Sequence, residues 1–202
     1  MTDPKLDRRV ARTRSFLRDA LFSLIEEKGY GAITVQDITD RANVNRVTFY
    51  FHYKDKEDLL FEVLKELYDG LASSLPPTTT ASEWVYEDAL AGFRHVEQYA
   101  PLYKVLLSER GTLSLVGRMI DLFATASITK ARETIPLGTT PPLPLEISEQ
   151  FYAGAFVALV RWWVMHDMPQ PPEIMAKWYE QLELHTGLWA WGMSEGANVD
   201  TE

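Results

Sequence analysis

Residues 34–60 read TVQDITDRANVNRVTFYFHYKDKEDLL, and the order of polar and apolar side chains in this stretch decides the fold. Thr34 offers a hydroxyl that can cap the N-terminus of a helix, and Asp37 supplies the acidic third residue of a capping box. The pair predicts that a short helix begins at residue 35, and its apolar stripe predicts that the helix continues to residue 42.

A turn and a second short helix follow. Residues 43–45 are Asn-Val-Asn, and Asn both tolerates left-handed backbone geometry and caps a following helix. The next helix is expected over about residues 46–52, and an amphipathic helix over about residues 9–28 precedes the pair. Three aromatic residues are expected to fill the core of this segment: Phe49, Phe51 and Tyr53. Together these elements predict a helix-turn-helix.

The segment resembles the DNA-binding domain of the TetR family of bacterial transcriptional regulators. The resemblance spans about residues 8–60 and rests on residue types at spaced positions: Thr34, Ile38, Ala42, Thr48, Tyr50, His52, Tyr53, Lys56 and Leu59. Asn43 departs from the pattern, in which Gly is more usual, but Asn accepts the same backbone geometry. The resemblance implies an all-α fold: an N-terminal three-helix helix-turn-helix DNA-binding domain and a C-terminal helical domain for ligand binding and dimerisation.

The first turn of the second short helix is expected to enter the major groove of DNA. Arg46 can bond bidentately to guanine, and Val47 and the Thr48 methyl group can contact thymine methyl groups. The predicted base-reading residues are Asn45, Arg46, Val47 and Thr48. The resemblance implies a second set that contacts phosphate: Thr34, Tyr50, His52 and Lys56.

The charge is distributed unevenly along the chain. The protein has 202 residues and a formal net charge of −9, which taken alone argues against a nucleic-acid partner. Residues 1–60, however, hold eleven Lys or Arg against ten Asp or Glu, a net charge of +1, so the net negative charge of the chain lies entirely after residue 60. A basic segment on an acidic protein can direct DNA to one face of it.

The composition argues against several functional classes. Without cysteine the chain has no thiol nucleophile and no cysteine-bound zinc, which fits a reducing cytoplasm. No two of the four histidines are spaced i, i+4, and residues 192–196 match the G-x-S-x-G pattern without the later His that such hydrolases need. No apolar run is long enough for a membrane span. We therefore expect no enzyme activity, metal, cofactor or membrane insertion, and a cytoplasmic location.

The rest of the chain is predicted to be helical. Helices are expected over about residues 56–75, 82–99, 101–107, 112–135, 145–167 and 172–191. Ser82 is expected to cap the second of these, and Pro and Gly between residues 136 and 144 predict a loop. The predicted domains are a helix-turn-helix domain at 1–55, a regulatory and dimerisation domain at 56–194 and a disordered acidic tail at 195–202.

The last two predicted helices carry small and apolar residues at helical spacing. The resemblance implies that they pair with a second copy of the chain across a two-fold axis, and a symmetric reader also suits an operator with two half-sites. The predicted dimer residues are Gly154, Ala155, Ala158, Trp162, Trp178, Leu182, His185 and Trp189.

The middle helices are rich in aromatic residues, and the resemblance implies that they admit a small effector that releases the protein from DNA. An aromatic lining favours an apolar or planar ligand, with His95, Arg118 or Arg161 as polar anchors. The predicted pocket residues are Phe93, His95, Tyr99, Tyr103, Arg118, Phe123, Phe156 and Arg161. For each aromatic residue the competing interpretation is an ordinary core position.

Two functions remain open. The resemblance favours a DNA-binding transcriptional regulator, a homodimeric repressor on a pseudo-palindromic operator that an apolar or aromatic ligand releases. The alternative is a helical module that binds a small molecule or a protein and carries a vestigial DNA-binding head. A set of residues suited to DNA contact favours the first function: Arg46, Thr48, Tyr50, His52 and Lys56.

Overall fold

The computed structural model describes residues 4–72, 80–108, 113–135 and 138–190, and within these ranges the chain forms nine α-helices and one 3₁₀ turn. This confirms the predicted all-α fold. The chain divides into two compact units, one ending at Asp69 and the other beginning at Gly70. The predicted tail at 195–202 lies outside the described residues.

The first unit is built from three helices and the greater part of a fourth. They are α1 (Pro4–Lys28), α2 (Val35–Ala42), α3 (Arg46–His52) and α4 (Lys56–Ala72), with the 3₁₀ turn at Tyr30–Ala32. The sequence-based boundary at residue 55 falls before α4. The unit extends to residue 69 because the first turns of α4 contribute fully buried side chains to its core, among them Leu59 and Leu60.

Local side-chain bonds fix the bounds of α2 and α3 where they were predicted. Thr34 Oγ1 accepts a bond from the Asp37 backbone N at 3.2 Å, and the Asp37 carboxylate accepts one from the Thr34 backbone N at 2.7 Å. Asn43 takes the left-handed conformation, with φ of 52°, which lets the chain leave α2. Asn45 Oδ1 then accepts from the Val47 backbone N at 2.8 Å and caps α3.

Two of the three aromatic residues that were predicted to fill the core of the first unit are buried there. Phe49 and Tyr53 are buried, but Phe51 is 82% exposed, so its predicted core position is wrong. Two residues along a helix turn the side chain through about 200°, so Phe49 and Phe51 point to opposite faces of α3. Other fully buried side chains of this core are Leu17, Leu21, Ile33, Ile38, Leu59 and Leu60.

The second unit contains five helices: α5 (Ala81–Gln98), α6 (Ala100–Leu107), α7 (Leu113–Thr134), α8 (Leu145–Met165) and α9 (Pro172–Ala190). The cap of α5 was predicted wrongly. Thr80 Oγ1 accepts from the Glu83 backbone N at 3.1 Å, while the Ser82 hydroxyl donates to Glu180 in α9 at 2.8 Å. None of the described helices is both long and apolar enough to cross a membrane.

The helices of the second unit pack mainly as two pairs, α5 along α9 and α7 along α8. Phe156 of α8 joins the pairs. Its ring centroid lies 5.1 Å from that of Phe93 in α5, 5.9 Å from that of Phe123 in α7 and 5.3 Å from that of Tyr179 in α9. Gly92 admits this ring to α5, because a Cβ built there would lie 2.7 Å from the Phe156 Cζ atom.

The Gly92 contact gives a stability test. Gly92→Ala is expected to be less stable than Gly117→Ala by about 1–3 kcal/mol, because the three neighbouring rings hinder the Phe156 ring from moving away. Gly117 is the matched control: it is also helical, and a Cβ there meets nothing within 4 Å, so the helix-propensity gain cancels in the comparison. Urea unfolding of both variants measures the difference, and equal stabilities would contradict the close packing.

Candidate functional site

The outer face of α3 carries apolar and basic side chains that are strongly exposed. Val47 is 76% exposed and Phe51 82%, and Arg46 and Tyr50 are exposed as well. Thr48 is half-buried on the same first turn. The predicted base-reading residues therefore share the start of α3, with the side-chain oxygen of Asn45 already engaged in the cap.

Arg46 is presented without a carboxylate partner among the described residues. Its Nη2 donates to the Tyr50 hydroxyl at 3.3 Å, and the guanidinium carbon lies 5.7 Å from the centre of the Tyr50 ring. Other basic residues of this unit are paired: Arg18 with Glu66, Lys28 with Asp37 and Arg41 with Glu27. The guanidinium of Arg46 thus keeps donors for an external acceptor.

Two of the residues that are predicted to contact phosphate make hydrogen bonds within the first unit. The Lys56 ammonium donates to the backbone oxygens of Tyr30 at 3.1 Å and Ile33 at 2.7 Å, and lies 4.4 Å from the centre of the Tyr30 ring. The Thr34 hydroxyl donates to the Asp37 carboxylate at 2.6 Å. A phosphate at Lys56 would be left at most one ammonium proton, and one at Thr34 would meet the negative charge of Asp37.

The other two predicted phosphate contacts differ from each other. Tyr50 is 49% exposed and keeps its hydroxyl at the surface of α3. His52 is half-buried, with its ring 5.3 Å from that of Phe51, and burial together with the charge of Arg14 lowers its pKa. His52 is therefore neutral at pH 7, and it can meet a phosphate as a hydrogen-bond donor rather than as a cation.

In the second unit, the predicted pocket residues fall into two aromatic groups. Phe93, Phe123 and Phe156 form the contacts that join the helix pairs, and Phe93 is fully buried core. His95 packs at 4.9 Å from the Tyr99 ring and 5.9 Å from the buried Tyr103 ring. The His95 Nε2 atom is buried without a hydrogen-bond partner among the described residues, and burial lowers the pKa of the ring.

Of the predicted polar anchors, Arg161 is engaged elsewhere. Its Nε donates to the backbone oxygen of Leu107 at 3.1 Å, so it caps the C-terminus of α6, and its role in a pocket stays a prediction. Arg118 is half-buried on α7.

The structure also brings together acidic residues that the sequence analysis missed. Glu149 of α8 is fully buried and accepts a bond from the Ser127 hydroxyl of α7. Glu183 of α9 is buried beside Tyr179, and burial, with the charges of Glu149 and Asp88, raises its pKa to about 8. Asp88 of α5 is exposed, but the protein around it still desolvates the carboxyl and raises its pKa to about 6. The sequence does contain one indication of these residues, because each acid lies among the apolar positions of its helix.

The predicted dimer face is apolar and exposed where the structure describes it. Of the predicted residues, Trp162 on α8 is 44% exposed, and Trp178 and Leu182 on α9 are 45% and 65% exposed. Ile147 and Phe151 of α8, which the prediction did not include, are 61% and 66% exposed. Gly154 and Ala155 are partly exposed between the large side chains of α8, and Ala158 is exposed. The side chains of His185 and Trp189 lie outside the described residues.

A helix-turn-helix with an outward-facing second helix, followed by a separate helical unit, defines a DNA-binding regulator of the helix-turn-helix class. Residues 17–63 match the family profile described as "Bacterial regulatory proteins, tetR family", and residues 83–182 match "Transcriptional regulator C-terminal region". The chain belongs to the TetR family of transcriptional regulators.

Relatives and solved structures agree with this assignment. The HTH-type transcriptional regulator YxbF of Bacillus subtilis strain 168 is 28% identical over 186 residues, 89% of this chain and 46% of YxbF. This chain thus spans less than half the length of the curated relatives it matches. A TetR transcriptional regulator from Streptococcus agalactiae 2603V is 28% identical, with a TM-score of 0.61 over 87% of this chain and 96% of that one. The fold is also that of FadR from Bacillus subtilis, solved with stearoyl-CoA, at 21% identity and a TM-score of 0.63 over 89% and 99% of the two chains.

The buried acids give a pH test. When folding raises the pKa of an acid, the folded protein loses stability as the pH rises from the acid's pKa in the unfolded chain to its pKa in the folded chain. For Glu183 these pKa values are about 4.5 and about 8. Glu183→Gln removes this loss, so its stability advantage over the native chain is expected to grow from pH 5 to pH 8, to a few kcal/mol at most.

Glu180→Gln is the matched control, because Glu180 is also buried on α9 but pairs with Lys177. Loss of the Glu180 charge, and with it the ion pair with Lys177, is expected to destabilise the chain at neutral pH. Thermal unfolding at several pH values measures both variants, and a pH-independent effect of Glu183→Gln would contradict the burial of a charged group.

Proposed function

We propose that the chain is a homodimeric transcriptional repressor that binds a pseudo-palindromic operator and leaves it when a small molecule enters the second unit. The observation that carries the DNA-binding part is the outer face of α3, where Arg46 and Val47 are exposed and no described carboxylate pairs with Arg46. Repression and release by a ligand are typical of this family.

In this proposal the start of α3 reads bases in the major groove. Arg46 donates to guanine O6 and N7, while the Val47 and Thr48 methyl groups contact thymine methyl groups. Tyr50 hydrogen-bonds phosphate, and the neutral His52 donates a weaker bond. Lys56 serves chiefly by holding Tyr30 and Ile33, which fixes the start of α4 against the segment before α2.

The proposed dimer forms through α8 and α9. Their exposed apolar side chains recur every three or four residues, as a face that packs on another helix does. A Cβ built on Gly154 meets nothing within 4 Å, so the middle of α8 has room for a close helix partner. A dimer also brings two copies of α3 to the operator. A single helix of seven residues would bind DNA too weakly by itself.

The alternative, a binding module with a vestigial head, predicts that DNA is bound weakly or without sequence preference. Selection of bound duplexes from a random pool separates the two functions. The repressor proposal expects a two-fold symmetric sequence to be enriched. No enrichment at low salt, with the dimer intact, would favour the alternative.

Arg46→Ala is expected to weaken binding to the selected operator about 5- to 150-fold, since a good bidentate base contact contributes about 1–3 kcal/mol of discrimination. Substituting the contacted base pair should then cost this variant little more. Fluorescence anisotropy of labelled duplexes measures both effects. Lys65→Ala is the charge-matched control, because Lys65 is paired with Asp69 on α4. If both variants lose the same affinity on every sequence, Arg46 does not read a base.

Trp178→Glu is expected to convert the dimer to a monomer, because it places a charge in the centre of an apolar interface. Light scattering after size exclusion measures the mass, and circular dichroism checks the fold. Leu143→Glu is the control, an exposed apolar residue in the loop before α8. A Trp178→Glu chain that remains dimeric would contradict the proposed interface.

A further inference from the structure

Phe51 is the most exposed large apolar side chain among the residues that the structure describes. Its exposed fraction is 82%, whereas Phe49, two residues earlier on α3, is fully buried. A ring in water contributes little to the stability of the first unit, because the hydrophobic gain comes only from area that is removed from water. The same ring contributes strongly when a partner covers it.

Val47 extends the exposed ring of Phe51 into an apolar edge of α3. The two residues lie one helical turn apart, and Val47 is almost as exposed as Phe51. The other edge of the outer face is polar, because Arg46 donates to the Tyr50 hydroxyl at 3.3 Å one turn further along. One exposed apolar residue needs no explanation, but two neighbours on a helix of seven residues form a surface that suits an apolar contact.

The charge around the apolar edge is complementary to DNA. Residues 46–54 contain no Asp or Glu, and they carry Arg46 and Lys54, which are both exposed. No described carboxylate pairs with Arg46, so its positive charge stays available to an acidic partner. The partner that we infer for the apolar edge is therefore the DNA duplex that α3 faces.

A phenyl ring can contact only some parts of a DNA duplex. It has no hydrogen-bond donor, so Phe51 cannot bond to a phosphate as the Tyr50 hydroxyl can. In the major groove the apolar group that distinguishes one base from the others is the C5-methyl group of thymine, and Phe is one of the side chains that contact it. One helical turn is about 5.4 Å and one base step about 3.4 Å, so Phe51 reaches a base pair one or two steps beyond the one that Val47 contacts.

We propose that Phe51 is a specificity-determining residue, whose ring packs against the C5-methyl group of one thymine in each half-site. This thymine is distinct from those that Val47 and Thr48 contact. The proposal rests on the DNA-binding function proposed above, and it adds a base pair to the sequence that α3 requires. Any other base in that place would leave a polar base edge covered by the ring without a hydrogen-bond partner.

Uracil scanning of the selected operator tests the contact, because uracil differs from thymine only in lacking the C5-methyl group. Each thymine is replaced in turn, in both half-sites together, and fluorescence anisotropy measures the affinity. We expect one position at which uracil weakens binding of the native chain about fourfold per half-site, the value of one buried methyl group. Phe51→Ala should lose the penalty at that position and keep the penalties at the thymines that Val47 and Thr48 contact.

Two further variants separate the contact of the ring from other effects. Phe51→Leu keeps an apolar side chain, so uracil should still weaken its binding at least twofold at the same position. Phe16→Ala is the matched control, because Phe16 is an exposed phenylalanine of the first unit that lies on α1. It is expected to keep the native affinity within twofold and every uracil penalty. Since the Phe51 ring is exposed, Phe51→Ala should unfold at the same urea concentration as the native chain.

Three results would overturn the proposal and leave the repressor function standing. If Phe51→Ala loses the same affinity on the thymine and uracil operators at every position, the ring contacts the sugars of the backbone and not a base. If its affinity is unchanged, the ring makes no contact with DNA. If its mass in light scattering differs from that of the native chain, the apolar edge is a contact between copies of the chain. Failure to select any operator would instead overturn the repressor function and this contact together.

Discussion

The recognition helix α3 is seven residues long, and a helix of that length is not stable by itself in water. The first unit supplies what α3 lacks. Asn45 caps its start, and the buried rings of Phe49 and Tyr53 fix its inner face. The Lys56 ammonium ties the next helix to the backbone at Tyr30 and Ile33. Because these contacts involve the inner face of α3, its outer face stays exposed and can contact a partner. That face carries Arg46, Val47, Tyr50 and Phe51.

Local chemistry explains why the sequence predicts α2 and α3 to the residue. Their ends depend on bonds between neighbours, such as Thr34 with Asp37, which a single sequence displays. The start of α5 was misassigned because Thr80 and Ser82 are both good caps, and the choice depends on Glu180, 98 residues beyond Ser82. The bond made by Arg161 could not be predicted for the same reason, since the carbonyl it caps belongs to Leu107, 54 residues earlier.

The buried acids show a further limit of sequence reasoning. Glu180 and Glu183 look alike in the sequence, one turn apart on the same helix. Glu180 has Lys177 three residues earlier, a local pair that the sequence displays. The neighbours of Glu183 are Asp88 and Glu149, and only the packing of α5, α8 and α9 brings these like charges together.

The central claim is that the outer face of α3 reads base edges in the major groove of DNA. Methylation interference on the selected operator tests it most directly, because methyl groups on guanine N7 block the major groove and those on adenine N3 block the minor groove. Interference at guanine N7 in two symmetric clusters, about one helical turn apart or a multiple of it, is the expected result. Interference confined to adenine N3, or none at either position, would contradict the claim.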